Sequence, residues 1–511
     1  MSHTENNKRI VKNTLFLYIR MFLIMIIQLF TVRIVLNTLG VVDYGINNVV
    51  GGIVAMFSFL SNTMASASQR FFSYEIGKND LVKLKNTFSL TITIYIIIAI
   101  IVFILAESVG LWFLNKHMTI PSERVVAANF VYQFSILSFI VTILTIPYNA
   151  SITAHENMKI YAYVSIVEVV LKLIIVAFLV YFTFDKLKLY SILMFGVTLI
   201  ISLSYKIVSS RLYKECRFNL YWNKKMFSEI MSYSGWNLLG VLSGIIKNQG
   251  INILLNIFFG PIVNAARGIA YQINSVVNQF VINFFKSIEP QIIKYYAVEN
   301  KNKMLSLVFQ GSKISYFLLL FITLPVLFET EFILTIWLQK IPEYVIIFTR
   351  LVILTSLLDS LSYSLTTAAL ATGKIKMYQI VVGGILLFNL PVSYLLLKVG
   401  FGPEITMIIA FGISFIALFI RILMLNKMVG LNILNYLKDV LLKVLFTSFL
   451  ITLLPSIFYL TMGQGFLRLS IVLFSCFTMG FIFIYFVGLT FNERNYINEL
   501  FKNKFVLKSV K

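Results

Sequence analysis

Fourteen apolar stretches recur along this 511-residue chain, each close to the roughly 20 residues a helix needs to cross a hydrocarbon core. They fall near 13–36, 44–66, 87–107, 125–147, 160–182, 189–209, 230–258, 268–288, 306–328, 345–370, 377–397, 404–425, 440–461 and 467–490. Hydrophobic residues make up 59% of the chain and charged residues only 13%, against about 25% charged in soluble domains. Within lipid, every backbone N–H and C=O must find a partner inside the protein. The pattern therefore predicts an all-α, polytopic membrane protein of about 14 transmembrane helices.

Part of the pattern is written twice. Thr153-Ala154-His155-Glu156-Asn157-Met158-Lys159-Ile160-Tyr161 is echoed 217 residues later by Leu370-Ala371-Thr372-Gly373-Lys374-Ile375-Lys376-Met377-Tyr378. Leu36-Asn37-Thr38-Leu39-Gly40 is echoed by Leu255-Asn256-Ile257-Phe258-Phe259-Gly260, with one inserted residue. An even number of helices per copy predicts parallel repeats related by an axis along the membrane normal, a plan used by secondary transporters. The expected organisation is an N-terminal six-helix lobe over 1–215 and a C-terminal six-helix lobe over 216–430. Two extra helices and a basic cytoplasmic tail, Asn492 onward, occupy 431–511.

The net charge of +22 is distributed by side. Of 43 Lys and Arg, 29 fall on the N-terminal side of the membrane in this topology and 8 on the other. The remaining six lie within or at the ends of predicted helices: Arg20, Arg33, Lys172, Lys247, Lys313 and Arg350. This positive-inside asymmetry places both termini in the cytoplasm, with anionic lipid as the neighbour of the basic loops and no role for nucleic acid.

Several chemistries find no support. The chain has no Gly-rich phosphate loop ending in Lys-Ser/Thr, and Cys216, Cys476, His3, His117 and His155 show no metal or disulfide spacing. No cofactor is expected. The segment 1–13 lacks a cleavage site, so the first helix is expected to stay uncleaved. Short outer loops leave no room for a catalytic domain, so the chain is expected not to be an enzyme.

Charges and amides inside a bilayer cost free energy, so their placement is informative. In helix 7, Asn248, Asn252 and Asn256 recur every four residues beside Lys247; in helix 8, Gly268, Gln272, Ser275, Gln279 and Asn283 form a second stripe. Asn48, Gly52, Asn62, Ser66 and Gln69 form a third in helix 2. Such faces line a wet cavity or glue helices together. Arg20, Arg33, Lys247 and Arg267 are candidate binders of an anionic substrate, with Asn248, Asn252, Gln272 and Gln279 beside them; for Arg33 and Arg267, snorkelling to the interface is the competing reading. Glu168 and Lys172, four apart, can pair on one helical face or relay a proton, whereas Asp359 has no cationic neighbour within a turn. Both carboxylates are ion-coupling candidates. Pro147, Pro261, Pro325 and Pro391 and the glycines of helix 7 mark places where helices can bend.

Two segments also resemble a known family. Leu39-Gly40-Val41-Val42-Asp43-Tyr44-Gly45-Ile46 resembles the LG-x-x-x-YG-[IVL] signature of Wzx-type polysaccharide (O-antigen) flippases. Asn264-Ala265-Ala266-Arg267-Gly268-Ile269-Ala270-Tyr271-Gln272-Ile273-Asn274, with Glu289-Pro290-Gln291-Ile292-Ile293-Lys294-Tyr295-Tyr296-Ala297, resembles that family's eighth helix and its exit. The resemblance implies the multidrug/oligosaccharidyl-lipid/polysaccharide exporter superfamily, with two six-helix lobes and a cationic central cavity. It also implies transport of undecaprenyl-pyrophosphate-linked oligosaccharides, the repeat units of O-antigen, capsule or related surface polysaccharide. Arg20 and Arg267 occupy helices in which the superfamily's lipid II flippases carry cavity arginines. Helix 2 has no arginine before Arg70, which points to a different glycan.

The sequence thus predicts a flippase of the bacterial inner membrane working by alternating access. Its expected partners are lipid-linked oligosaccharide, anionic lipids, and the polymerase and chain-length machinery of polysaccharide assembly. Cation-coupled multidrug export by the same fold is the first rival. A membrane enzyme or a scaffold of polysaccharide assembly is the second.

Overall fold

The computed structural model describes residues 3–55, 58–117, 120–182, 184–338, 341–491 and 493–495. The side chains of Arg33, Asn48, Asn62, His117 and Asn256, the surroundings of Gly52, and most of the basic tail after Asn492 lie outside the described residues. The long helices are α1 His3–Ala55, α2 Ser58–Lys78, α3 Leu81–Lys116, α4 Ser122–Ala154, α5 Met158–Leu179, α6 Lys186–Leu212 and α7 Lys224–Phe259. They continue as α8 Pro261–Ala297, α9 Lys301–Phe328, α10 Val345–Ala371, α11 Lys376–Val399, α12 Ile405–Val429, α13 Ile433–Thr461 and α14 Phe466–Gly488. No strand occurs among the described residues.

Eleven of these helices are long and apolar enough to cross a bilayer, against the 14 expected from sequence. The three others are α1, α2 and α8. The amides Gln272, Asn274, Asn278, Gln279 and Asn283 dilute the apolar content of α8, and serines do so in α2. In α1 many side chains fall outside the described residues.

The written duplication has a backbone counterpart. Gly40 breaks α1 at φ 78°, and Gly260, between α7 and α8, also has φ 78°. Asn79 and Glu299, 220 positions apart, follow α2 and α8 at φ 58° and 57°. Each is followed by a capping residue: the Asp80 carboxylate accepts from the Lys83 amide at 2.9 Å, and Asn300 Oδ1 from the Lys303 amide at 3.2 Å. Glu156 and Gly373, each the fourth residue of the longer echo, have φ 61° and 74°. In each of these three pairs a left-handed residue ends a helix at the matching place.

The chain groups into two compact units. The first comprises Ile10–Val241 and Ile293–Glu299; the second comprises Met1–Arg9, Leu242–Ile292 and Asn300–Lys511. In the first, Phe72, Phe88, Ile152, Val197 and Cys216 form one buried cluster, and Ile46, Leu114, Val131, Tyr132 and Leu187 another. The second packs Leu255, Val263, Ala266, Phe348 and Met407 at the junction of α7, α8, α10 and α12. Here α13 and α14 lie against α9: the Phe321 ring sits 4.8 Å from Phe477 and 4.9 Å from Phe481, and the Tyr436 hydroxyl donates to Ser312 at 3.1 Å. The basic tail is tied down at its start, because Glu493 accepts from Lys313 of α9 at 2.9 Å. Exposed Ile97, Ile100, Ile101 and Ile104 give α3 the apolar outer surface that lipid demands.

Candidate functional site

Each unit holds a polar cavity at helix depth. In the second unit, a cavity of about 540 Å³ is walled by α7, α8, α10 and α12. Lys247 and Asn248 face it from α7, one turn beyond Gly244. From α10, Ser356, Asp359, Tyr363, Thr366 and Leu370 recur at intervals of three and four, which puts them on one helical face. Arg421 closes the wall from α12. The serine and amide groups are knitted together: Ser356 donates to Asn274 Oδ1 at 2.7 Å, and Asn278 donates to the same oxygen at 2.9 Å.

The charges in this cavity are not consumed in the same way. Lys247 lies within electrostatic range of Asp359, Arg421 and Arg267, yet among the described residues it forms no hydrogen bond or ion pair. The Arg421 guanidinium donates to the Ser362 hydroxyl at 3.2 Å, while its buried Nε has no partner. Arg267 lies behind Asn252 and Tyr271, donating to the Asn252 carbonyl oxygen at 2.8 Å and stacking 4.2 Å over the Tyr271 ring.

In the first unit, a cavity of about 320 Å³ lies between α1, α4, α5 and α6, lined by Arg20, Asn149, Tyr161, Ser165, Ser202 and Tyr205 among others. A second chamber of about 230 Å³ shares Arg20, Ser165, Glu168 and Lys172 with it. Lys172 donates to Glu168 at 2.6 Å, so the i,i+4 pair forms as the spacing allows. Arg20 stacks 4.7 Å over the Tyr161 ring.

Both cavities are set in a known arrangement of helices. An outward-facing multidrug resistance MATE family transporter of the MOP superfamily matches with a TM-score of 0.72 at 13% identity, over 83% of this chain and 96% of its own. A MATE in the bent conformation gives 0.72 at 12% identity, again over 83% and 96%. The chain has the MATE transporter fold. A MOP superfamily transporter from Pyrococcus furiosus, in which reverse polarity of the binding pocket suggests a different function, gives 0.69 at 12% identity over 82% and 96%. No family model and no curated protein matches the sequence.

Within this MATE fold, the residues singled out from sequence are distributed between the units. Lys247, Asn248 and Asp359 share the second-unit cavity, with Asn252 and Arg267 packed behind it. Arg20 and Glu168 share the first-unit cavity. Arg267 is 6% exposed, so it is a buried cation and does not snorkel. Gln272 and Gln279 are exposed and do not line either cavity. The α8 face that lines the cavity carries Tyr271, Asn274, Asn278 and Glu289. Asn274 is two residues from Gln272, about 200° around the helix. The sequence reading missed Arg421. Arg421 falls inside the stretch 404–425 yet is not among the six cations assigned to helices; α12 holds it at 9% exposure.

Proposed function

We propose that the chain is a membrane exporter that flips a lipid-linked oligosaccharide, its pyrophosphate held by Lys247 and Arg421, with Arg267 adding positive charge from behind the wall. One observation carries this reading. Most other charges held within the helical bundle are matched: Lys313 to Glu493, Arg468 to Glu329, Arg124 to Asp43 and Asp185, Lys294 to Glu156, Lys172 to Glu168. Lys247 and Arg421 face a cavity with no carboxylate bonded to either among the described residues. A buried cation bonded to no carboxylate is costly, and an anionic cargo supplies the missing hydrogen-bond partner. Asn248, Asn274 and Asn278 on the cavity wall offer amide groups to sugar hydroxyls.

In the proposed cycle the sugars and pyrophosphate enter from the cytoplasm while the prenyl chain stays in lipid. The Lys and Arg distribution supports this orientation and a bacterial inner-membrane setting. Asp359, sharing a cavity with Lys247, and Glu168 are the candidate ion-coupling carboxylates. Asp359 also favours the second reading, cation-coupled multidrug export, because a carboxylate on a cavity wall suits a cationic drug or a coupling ion. Asp359 and Glu289 share the wall with Lys247 and Arg421, so the preference for anionic cargo rests on neither cation being bonded to a carboxylate among the described residues.

The test is the leaflet sidedness of undecaprenyl-pyrophosphate-linked glycan in cells depleted of the chain, read with an outer-face lectin. Accumulation inaccessible to the lectin, restored by the wild-type chain and not by Lys247→Gln/Arg421→Gln made at equal levels, supports the flippase. Glycan that stays accessible but unpolymerised transfers the role to an enzyme or scaffold acting after flipping. Normal glycan with lost drug efflux favours the multidrug reading.

A further inference from the structure

We propose that the first-unit cavity around Arg20 is a saccharide subsite that takes a sugar ring bearing a carboxylate. The proposal rests on the flippase reading and names the class of glycan it carries. Among the described residues, the Arg20 guanidinium forms no hydrogen bond and no ion pair; its one contact of this kind is the Tyr161 ring, and its Nε is buried without a partner. The nearby carboxylate does not answer it, since Glu168 is closed on Lys172 at 2.6 Å. The cavity therefore carries one uncompensated positive charge, placed where an oxyanion can receive a forked pair of hydrogen bonds.

The neutral wall decides what kind of oxyanion fits. Thr142 donates to the Ser138 carbonyl at 2.8 Å, Thr145 to Val141 at 2.7 Å, Ser165 to Tyr161 at 2.8 Å and Thr198 to Met194 at 3.1 Å. Each of these hydroxyls spends its proton on its own helix, so it can meet a ligand only as an acceptor, and the Thr145 oxygen already lies 2.5 Å from the Ser202 hydroxyl. A wall carrying these acceptors, beside Asn149, Tyr161 and Tyr205, disfavours a phosphate, whose oxygens are mostly acceptors. It suits a ligand rich in O–H donors with a single anionic group beside Arg20. The volume of about 320 Å³ is near the lower end of ligand pockets, roughly 300–1,000 Å³, so it fits one ring and not an oligosaccharide. Tyr161 and Tyr205 add ring faces against which a pyranose can pack.

The experiment is equilibrium binding to the full chain in lipid nanodiscs, with glucuronate, glucose, glucuronamide and inorganic phosphate as probes. Glucuronate is expected to bind roughly 10- to 100-fold more tightly than glucose or glucuronamide, the worth of a hydrogen-bonded charge. Phosphate is expected to compete poorly, and Arg20→Gln to abolish the preference for the acid while leaving glucose unchanged. Equal binding of glucuronate and glucuronamide, displacement by phosphate as effective as by glucuronate, or no saturable glucuronate binding each overturns the proposal. The probe comparison needs only the unmodified chain, so a folding failure of Arg20→Gln does not blunt it. A chain that fails the leaflet test but prefers glucuronate sinks the flippase reading alone; a chain that flips glycan without that preference sinks this subsite alone.

Discussion

Arg468 grips Glu329 through two parallel hydrogen bonds, Nε to Oε1 at 2.7 Å and Nη2 to Oε2 at 2.8 Å, in the second unit. The carboxylate has no exposed surface, and the guanidinium also lies 4.8 Å over the Tyr459 ring. Removing the cation strands a buried charge, which costs about 3–5 kcal/mol. Arg468→Leu is expected to lower the melting temperature in detergent sharply. Arg468→Lys, which keeps the charge but loses the fork, is expected to fall between the two. An unchanged melting temperature for Arg468→Leu contradicts this account.

The Lys313–Glu493 pair makes a different prediction, because both partners can be removed together. Lys313 is 2% exposed and Glu493 10%. Either single replacement, Lys313→Met or Glu493→Leu, is expected to destabilise by a few kcal/mol (about 3–5), whereas the double replacement recovers most of the loss. Additive single effects in a double-mutant cycle refute a direct pairing.

Asp185 predicts an acid-sensitive component. Burial pushes its carboxyl up, but hydrogen bonds from the Arg124 guanidinium and the Lys188 amide outweigh that and hold it below the ordinary 3.8. A folded-state value below the unfolded one contributes stability above about pH 4, lost as the pH falls through the folded value. The difference in melting temperature between wild type and Asp185→Asn is expected to be present at pH 6 and to shrink progressively below pH 4. A gap that is constant with pH rules this out.

Gly40 has φ 78° and ψ 167°, a conformation essentially closed to other residues, and a Cβ there meets nothing within 4 Å. The penalty for Gly40→Ala is therefore conformational alone, about 1–3 kcal/mol. Gly196, inside α6 and equally free of neighbours, is the control: Gly196→Ala is expected to stabilise by roughly 0.5–1 kcal/mol. Opposite signs in thermal unfolding confirm the contrast; a common sign refutes it.

The helices and their order were legible because apolar length is a one-dimensional signal, and the echoes at Gly40/Gly260 and at 153–161/370–378 fall on real turns. The third turn, Asn79-Asp80 against Glu299-Asn300, shares capping chemistry but no identical residue, so no echo announced it. Facing was harder to read. The α8 helix has amides on two sides, and spacing selected Gln272 and Gln279 although Asn274 and Asn278 line the cavity. The proximity of Asp359 to Lys247 links helices 112 positions apart, a relation no helical period encodes. Arg421 lay inside the predicted stretch 404–425, but its place near the end of that stretch let it pass as one of the basic charges on the N-terminal side.

Glu156 and Gly373 occupy equivalent turns, but only one of them is cheap to hold in a left-handed conformation. Gly373 needs no support to sit at φ 74°. Glu156, at φ 61°, is secured from outside: Asn13 donates to its carbonyl at 2.8 Å and Lys294 to its carboxylate. The first copy has thus exchanged a self-sufficient bend for one anchored by two remote segments, near the start of α1 and the end of α8. The duplicated halves are in consequence no longer interchangeable parts. Grafting 370–378 onto the first copy would keep the bend and cut a three-way tie, while the reverse graft would import torsional strain with nothing to restrain it.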